Sequence, residues 1–280
     1  MINLTIISKI TTQKKRTDRY NIFLDDGQGE EYAFSVDEAV LIQFQLRKKL
    51  ELTKEMIEEI LSEDKVRKGY QYAINFLSYR MRTKKEMNDY LTKKELGEED
   101  IQIVIQRLTK EDYLNNLEFA KAFVRSRINL NSKGPGAIKK ELFEKGVSED
   151  DINESLKLFS IDEQLEKALT FIEKKSTANG RTSRKEQDRK VYSLLLSKGF
   201  SQDIIQQALS ILKEQEDDIE QVEANLDDEW QAVTYQGEKA MRKYQSKDGW
   251  EKKQKVKQFL YARGFSMELI TKFIDEFEAE

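Results

Sequence analysis

The sequence predicts a mainly α fold: an elongated array of tandem three-helix repeats behind a small N-terminal antiparallel β-sheet. Three observations carry this. Hydrophobic alternation with period two is confined to the first thirty-odd residues. A short motif of glycine, hydrophobe, serine and acids then recurs along the chain. And 280 residues contain one proline and 12 glycines, so long helices meet few breakers.

The sheet comes first. Ile2, Leu4 and Ile6 alternate with polar residues, as do Tyr20, Ile22 and Leu24, and then Tyr32, Phe34 and Val36. Period two over β-rich residues predicts three strands. Asp25-Asp26-Gly27-Gln28-Gly29 supplies the positive-φ positions of a hairpin turn. Ser35 with Glu38 fits a capping box opening a helix that carries Ala39, Val40, Leu41, Phe44 and Leu46. Thr53 caps a second, short helix with Met56, Ile57, Ile60 and Leu61.

Repeats follow. Glu95-Leu96-Gly97-Glu98-Glu99-Asp100-Ile101 aligns with Gly146-Val147-Ser148-Glu149-Asp150-Asp151-Ile152. Two further copies run Gly199-Phe200-Ser201-Gln202-Asp203-Ile204-Ile205 and Gly264-Phe265-Ser266-Met267-Glu268-Leu269-Ile270. Their aligned isoleucines lie 51, 53 and 65 residues apart. In each copy a helix ends at a residue free to turn left-handed, a hydrophobe packs beside the turn, and serine caps the next helix. Acids then favour that helix's positive end. The first copy has Glu95 for the glycine and Gly97 for the serine. Each repeat holds three helices. In the first they are marked by Ala73, Ile74 and Leu77, by the capping box Thr83 and Glu86 with Met87, Tyr90 and Leu91, and by Ile101, Val104, Ile105 and Leu108. Ser183 and Glu186 repeat the box. The boundaries expected are 1–64 for the sheet and its helices, then repeats at 65–112, 113–160, 161–213 and 214–280. The last opens on an acidic linker with nine acids and no base from 214 to 229, read as a solvated face.

Composition narrows the chemistry. There is no cysteine and no histidine, which excludes disulfides, thiolate or imidazole catalysis, and His/Cys zinc sites. No catalytic constellation stands out among 52 acids and 48 bases, so no catalytic residue, metal or cofactor is expected. Met1 to Thr5 lacks a signal-peptide pattern, and no run approaches the roughly 18 apolar residues of a membrane span. The chain reads as cytoplasmic and monomeric, and as a protein that docks on a macromolecule.

Basic residues cluster in four places: Tyr79 to Lys85, Ala120 to Lys145, Arg181 to Lys190, and Lys239 to Arg263, the last with nine bases and two acids. Interleaved aromatics suit phosphates or an acidic protein face. At 36 % charged residues, solvated helix faces also produce such runs, and a net charge of −4 speaks against a plain nucleic-acid coating protein. Ser132-Lys133-Gly134-Pro135-Gly136 reads as a helix start whose free N–H groups could meet an anion.

Two blocks resemble the RecX family of bacterial RecA regulators. Ala73-Ile74-Asn75-Phe76-Leu77-Ser78-Tyr79-Arg80-Met81-Arg82-Thr83, with Glu86 and Leu91, is similar to its first repeat. Glu118 to Arg127, with Lys133-Gly134-Pro135, Ile138, Glu141-Leu142 and Lys145-Gly146-Val147, is similar to its second. The later repeats match more loosely, and Met81 and Glu95 replace a frequent proline and a usual glycine. The resemblance implies a non-enzymatic regulator that binds the RecA–DNA filament and restrains its ATPase, strand exchange and SOS coprotease activities. The residues expected to bind the partner are Tyr79, Arg80, Arg82, Arg125, Arg127, Lys133, Lys139 and Lys140. A weak contact with single- or double-stranded DNA goes with this reading. The alternative is a direct DNA-binding protein using helix-turn-helix-like units.

Overall fold

The structure is a computed structural model and describes residues 4–14, 17–130, 133–175, 181–215 and 219–279. Ile2, Ser132 and residues 216–218 of the acidic segment lie outside them. The chain divides into two units, Met1–Ala120 with Glu144–Asp151, and Lys121–Phe143 with Ile152–Glu280.

The first unit opens with strands β1 (Thr5–Thr12), β2 (Arg19–Asp25) and β3 (Glu30–Asp37), then helix α1 (Glu38–Gln43) and strand β4 (Glu51–Leu52). All pair antiparallel in the order β3-β2-β1-β4. The sheet thus has four strands where the hydrophobic pattern predicts three, because a two-residue strand is too short to show an alternation. The turn between β2 and β3 forms as expected. Gly27 and Gly29 take positive φ, and the Asp25 carboxylate accepts from both their N–H groups.

Two registers differ from the simple alternation. Leu4 and Ile6 are exposed and Ile7 is fully buried; an irregularity between Ile7 and Lys9 then exchanges inward and outward side chains and brings Ile10 against the same core. A second irregularity, between Ile22 and Phe23, turns Tyr32 out of the core to lie edge-to-face with Phe23. The α1 cap also differs. Ser35 stays in β3 opposite Asn21, and Asp37 caps the helix by accepting from the Ala39 N–H. The strand simply runs two residues further than the capping-box pattern suggests.

Thr53 does cap helix α2, but α2 (Lys54–Leu77) is long, not short. Residues 62–72 contain no proline, and their one glycine, Gly69, is buried where Leu96 approaches. Residue 64 therefore lies inside one unbroken helix that serves both the sheet and the first repeat. Its N-terminal half packs Ile60 against Ile7, Ile22, Phe34, Val36, Val40 and Leu52. Ionic contacts lock it there. Asp64, 8 % exposed, accepts from Arg19 at 2.8 Å and from the Asp37 N–H at 2.7 Å, while Arg67 donates to Asp37 at 2.7 Å.

From α2 on, the helices fall into four triads. The first is α2, α3 (Lys84–Thr92) and α4 (Glu98–Lys110). The second is α5 (Asn116–Asn129), α6 (Pro135–Glu144) and α7 (Glu149–Leu156). The third is α8 (Ile161–Lys175), α9 (Arg184–Ser197) and α10 (Gln202–Gln215). The fourth is α11 (Ile219–Lys243), α12 (Gly249–Ala262) and α13 (Met267–Ala279). Ala73, Met87, Leu91, Ile101, Val104, Ile105 and Leu108 form the first triad's core, as their spacing predicts. In the second unit, Ile172, Leu195, Phe200 and Ile205 anchor the third triad, and Val233, Leu260, Phe265 and Ile270 the fourth.

The recurring turn takes the expected form. Gly146, Gly199 and Gly264 have φ of +75°, +88° and +91°, and Ser148, Ser201 and Ser266 each accept a backbone N–H of the helix that follows. Glu95 adopts the same conformation at φ +62° despite its side chain. Sequence spacing did not reveal what these turns touch. Each ends the second helix of a triad and seats on the start of the second helix of the preceding triad. The Thr83 hydroxyl donates to the Lys145 carbonyl at 2.8 Å, the Gly134 N–H to the Lys198 carbonyl at 2.8 Å, and the Ser183 hydroxyl to the Arg263 carbonyl. The seat is tight. A Cβ on Gly146 would lie 2.7 Å from the Lys85 Cβ, on Gly199 2.2 Å from the Ala137 N, and on Gly264 2.8 Å from the Lys185 Cβ.

Candidate partner-binding patches

The sequence-predicted residues occupy two patches, one in each unit. In the first unit, α2 ends at Leu77 and Thr83 caps α3 with a complete capping box, so Tyr79 to Arg82 form the short link between two helices. Tyr79 stands out from it, 84 % exposed. Arg80 is exposed but turned back on its own unit. Its two terminal nitrogens meet the Glu86 carboxylate at 3.1 and 3.2 Å. Glu86 also takes Lys145 at 3.0 Å. Arg82 lies flat over the Phe76 ring at 3.8 Å, and Phe76 stacks on Tyr90 with centroids 4.0 Å apart. Partial burial, and then the neighbouring Arg80, lower the Arg82 pKa.

In the second unit, Arg127 and Lys133 converge on Glu141, Arg127 at 2.8 Å. Arg127 also covers the Phe123 ring at 4.5 Å. Arg125, Lys139 and Lys140 are exposed. Among the described residues, Arg125 and Lys140 have no ion-pair or hydrogen-bond partner. The structure thus separates the eight candidates into two kinds. Arg80, Arg82, Arg127 and Lys133 are tied to their own unit, while Tyr79, Arg125, Lys139 and Lys140 face solvent.

The Gly134–Gly136 segment is not a free anion cradle. Its N–H groups at Gly134 and Gly136 donate to the carbonyls of Lys198 and Gly199 at 2.8 and 2.9 Å. Lys133 points its charge to Glu141. Two features escaped the sequence reading. Phe143, 70 % exposed, lies one helical turn from Lys139 and Lys140 on α6. The available signal was an apolar residue directly after Leu142, outside the Ile138/Leu142 stripe. The other is the pair of glutamate hubs, whose partners lie 6 to 59 residues away.

Burial works to raise the pKa of Glu86, but hydrogen bonds and charge from Arg80 and Lys145 outweigh it, and the carboxyl titrates below its usual range. Glu141 behaves the same way, with Lys133 and Arg127 prevailing over desolvation. A carboxylate with a lowered folded pKa stabilises the fold fully above the unfolded value of about 4.3, and that contribution is lost as pH falls through the folded value. Glu86→Gln is therefore expected to cost roughly 1–2 kcal/mol at pH 7. The gap in urea midpoint between wild type and E86Q should narrow as pH falls below the unfolded value and through the folded one. A gap that does not narrow at all toward the lowest pH at which the fold persists would show that the ion pairs are not its source.

Among the described residues, no helix is long and apolar enough to cross a membrane, and no group of three or more acids is placed to hold a metal ion. Fold and patches together define a tandem three-helix repeat protein with a β-sheet at its N-terminal end. Comparison with known proteins gives the family. Residues 5–53 match the regulatory protein RecX N-terminal domain, 70–108 the first RecX three-helix domain, 115–156 the second, and both 162–209 and 227–274 the third. The regulatory protein RecX of Bacillus cytotoxicus is 43 % identical over 271 residues, covering 97 % of each chain. That of Oceanobacillus iheyensis is 44 % identical over 273 residues, covering 96 % of this chain and 97 % of the relative. A crystal structure of regulatory protein RecX superposes with TM-score 0.64 at 34 % identity, covering 74 % of this chain and 99 % of that one. RecX from Lactobacillus salivarius gives 0.52 at 35 %, covering 54 % and 98 %. The chain belongs to the RecX regulatory protein family. Its third and fourth triads match one and the same domain type, which makes the fourth a second copy of the third.

Proposed function

We propose that this protein is a non-enzymatic, cytoplasmic regulator that binds the RecA–DNA filament and restrains its ATPase, strand exchange and coprotease activities. The observation that carries the reading is the match to RecX domains in every part of the chain, sheet and all four triads. In this reading the working modules are 1–64, 65–112, 113–160, 161–213 and 214–280. Repeated helical modules offer several similar surfaces, each able to contact a subunit of a polymer. Tyr79 and the exposed bases Arg125, Lys139 and Lys140 make the contact. Arg80, Arg82, Arg127 and Lys133 hold the two patches in shape.

RecA ATPase on single-stranded DNA, measured with and without this protein, tests it. Inhibition at well below one copy per RecA is expected. An unchanged rate, together with tight, steeply salt-dependent binding to DNA alone, would favour a direct DNA-binding protein instead.

A further inference from the structure

The seat between successive triads has two halves. The entering half is a basic residue, a glycine at positive φ and a buried hydrophobe: Lys145-Gly146-Val147, Lys198-Gly199-Phe200 and Arg263-Gly264-Phe265. The receiving half is the cap of a second helix and the three residues after it: Thr83 to Glu86, Gly134 to Ala137, and Ser183 to Glu186. The cap donates to the basic residue's carbonyl, the residue two places on lies against the glycine, and Glu86 or Glu186 takes the basic side chain.

Among the described residues, one half of each kind has no mate. At the end of α3 is an entering half, Lys94-Glu95-Leu96. At the start of α12 is a receiving half, Asp248-Gly249-Trp250-Glu251. The two are the complementary faces of one joint. Met in trans, they would link the fourth triad of one copy to the first of another in a head-to-tail contact.

We infer that this surface fits a second copy of the same chain and is shut on both sides by Glu95, Asp248 and Trp250. Glu95 takes the left-handed turn at φ +62° but carries a Cβ, which in the three occupied seats would fall 2.2–2.8 Å from the receiving residue. Asp248 caps α12 by accepting from the Glu251 N–H at 2.8 Å. Its carboxylate has no proton for an incoming carbonyl and would set a negative charge against it. Trp250, 74 % exposed, stands at the position of Lys85, Gly136 and Lys185. Glu251, at the position of Glu86 and Glu186, pairs with Lys247 at 2.9 Å.

The departures are confined to atoms that would face the absent neighbour. Leu96 still packs on the first core like Val147, Phe200 and Phe265, and Asp248 still caps its helix. Only the mating surfaces have changed, as expected of end modules in a repeat array.

Mixing two full-length variants tests this. E95G opens the entering half; D248S/W250K opens the receiving half. Each alone, and wild type, should keep a single mass across a concentration series in analytical ultracentrifugation. The mixture should shift toward twice that mass as concentration rises. Should D248S/W250K lose helicity by circular dichroism, D248S and W250K are mixed with E95G singly under the same criteria. A mixture of folded variants that stays at one-chain mass overturns the inference. So does a wild-type chain that associates and is dispersed by W250A.

Discussion

Alanine at Gly199 is expected to cost the second unit at least about 3 kcal/mol, while glycine at Glu95 changes stability by less than about 1 kcal/mol. Both residues sit at the same point of the same turn, with φ of +88° and +62°. Conformation alone would make the two exchanges mirror images, each worth about 1 kcal/mol. What separates them is the neighbour. A Cβ at 199 would lie 2.2 Å from the backbone nitrogen of Ala137 and 2.9 Å from its Cβ. Backbone within a helix cannot step aside as a side chain can. Accommodation would pull α6 off the turn and break the bonds from Gly134 and Gly136 to Lys198 and Gly199. Glu95 has no triad ahead of it. Urea unfolding followed by circular dichroism reads both values. Equal and opposite small effects would mean that the glycine serves the turn only, and that the seat contributes little.

That contrast also marks how far the sequence could be read. Glycine turns, serine caps and apolar stripes are written within a few residues of where they act, so Gly146, Ser148 and Ile152 announce their roles directly. The seats pair residues 59 to 80 apart, such as Glu86 with Lys145 and Ser183 with Arg263. Nothing local in Gly134-Pro135-Gly136 distinguishes a helix start that waits for an anion from one that is covered by another backbone. The same limit applies to the basic runs. Arg125 and Arg127 are two residues apart and chemically alike, yet one is exposed and the other is held by Glu141 and Phe123. Helical phase would separate them, but only once the partner's position on α6 is known. The sheet failed differently. Irregularities in β1 and β3 shift the register by one residue, and alternation counted along a strand cannot see them.

Reversing the exposed bases should abolish the inhibition of RecA while leaving the fold intact. In the quadruple variant Tyr79→Ala, Arg125→Glu, Lys139→Glu, Lys140→Glu, the concentration needed for half-inhibition of RecA ATPase is expected to rise on the order of a hundredfold, given a few tenths to 2 kcal/mol per contact. Far-UV circular dichroism should not change, because these side chains face solvent. The choice of residues matters. Arg80→Glu would set a second carboxylate beside Glu86, and Arg127→Glu or Lys133→Glu would do so beside Glu141. Those variants would lose stability whatever the partner does, and their loss of inhibition would carry no information about contact. Arg125 and Lys140, which have no such partner among the described residues, escape this ambiguity. Inhibition should also weaken with salt in the wild type, and less steeply in the variant, since the charges removed are those that attract an acidic surface. Full inhibition by the folded quadruple variant would remove these residues from the interface. The remaining basic surface, above all the lysine-rich α12 with its exposed Trp250 and Tyr261, would then be the place to look.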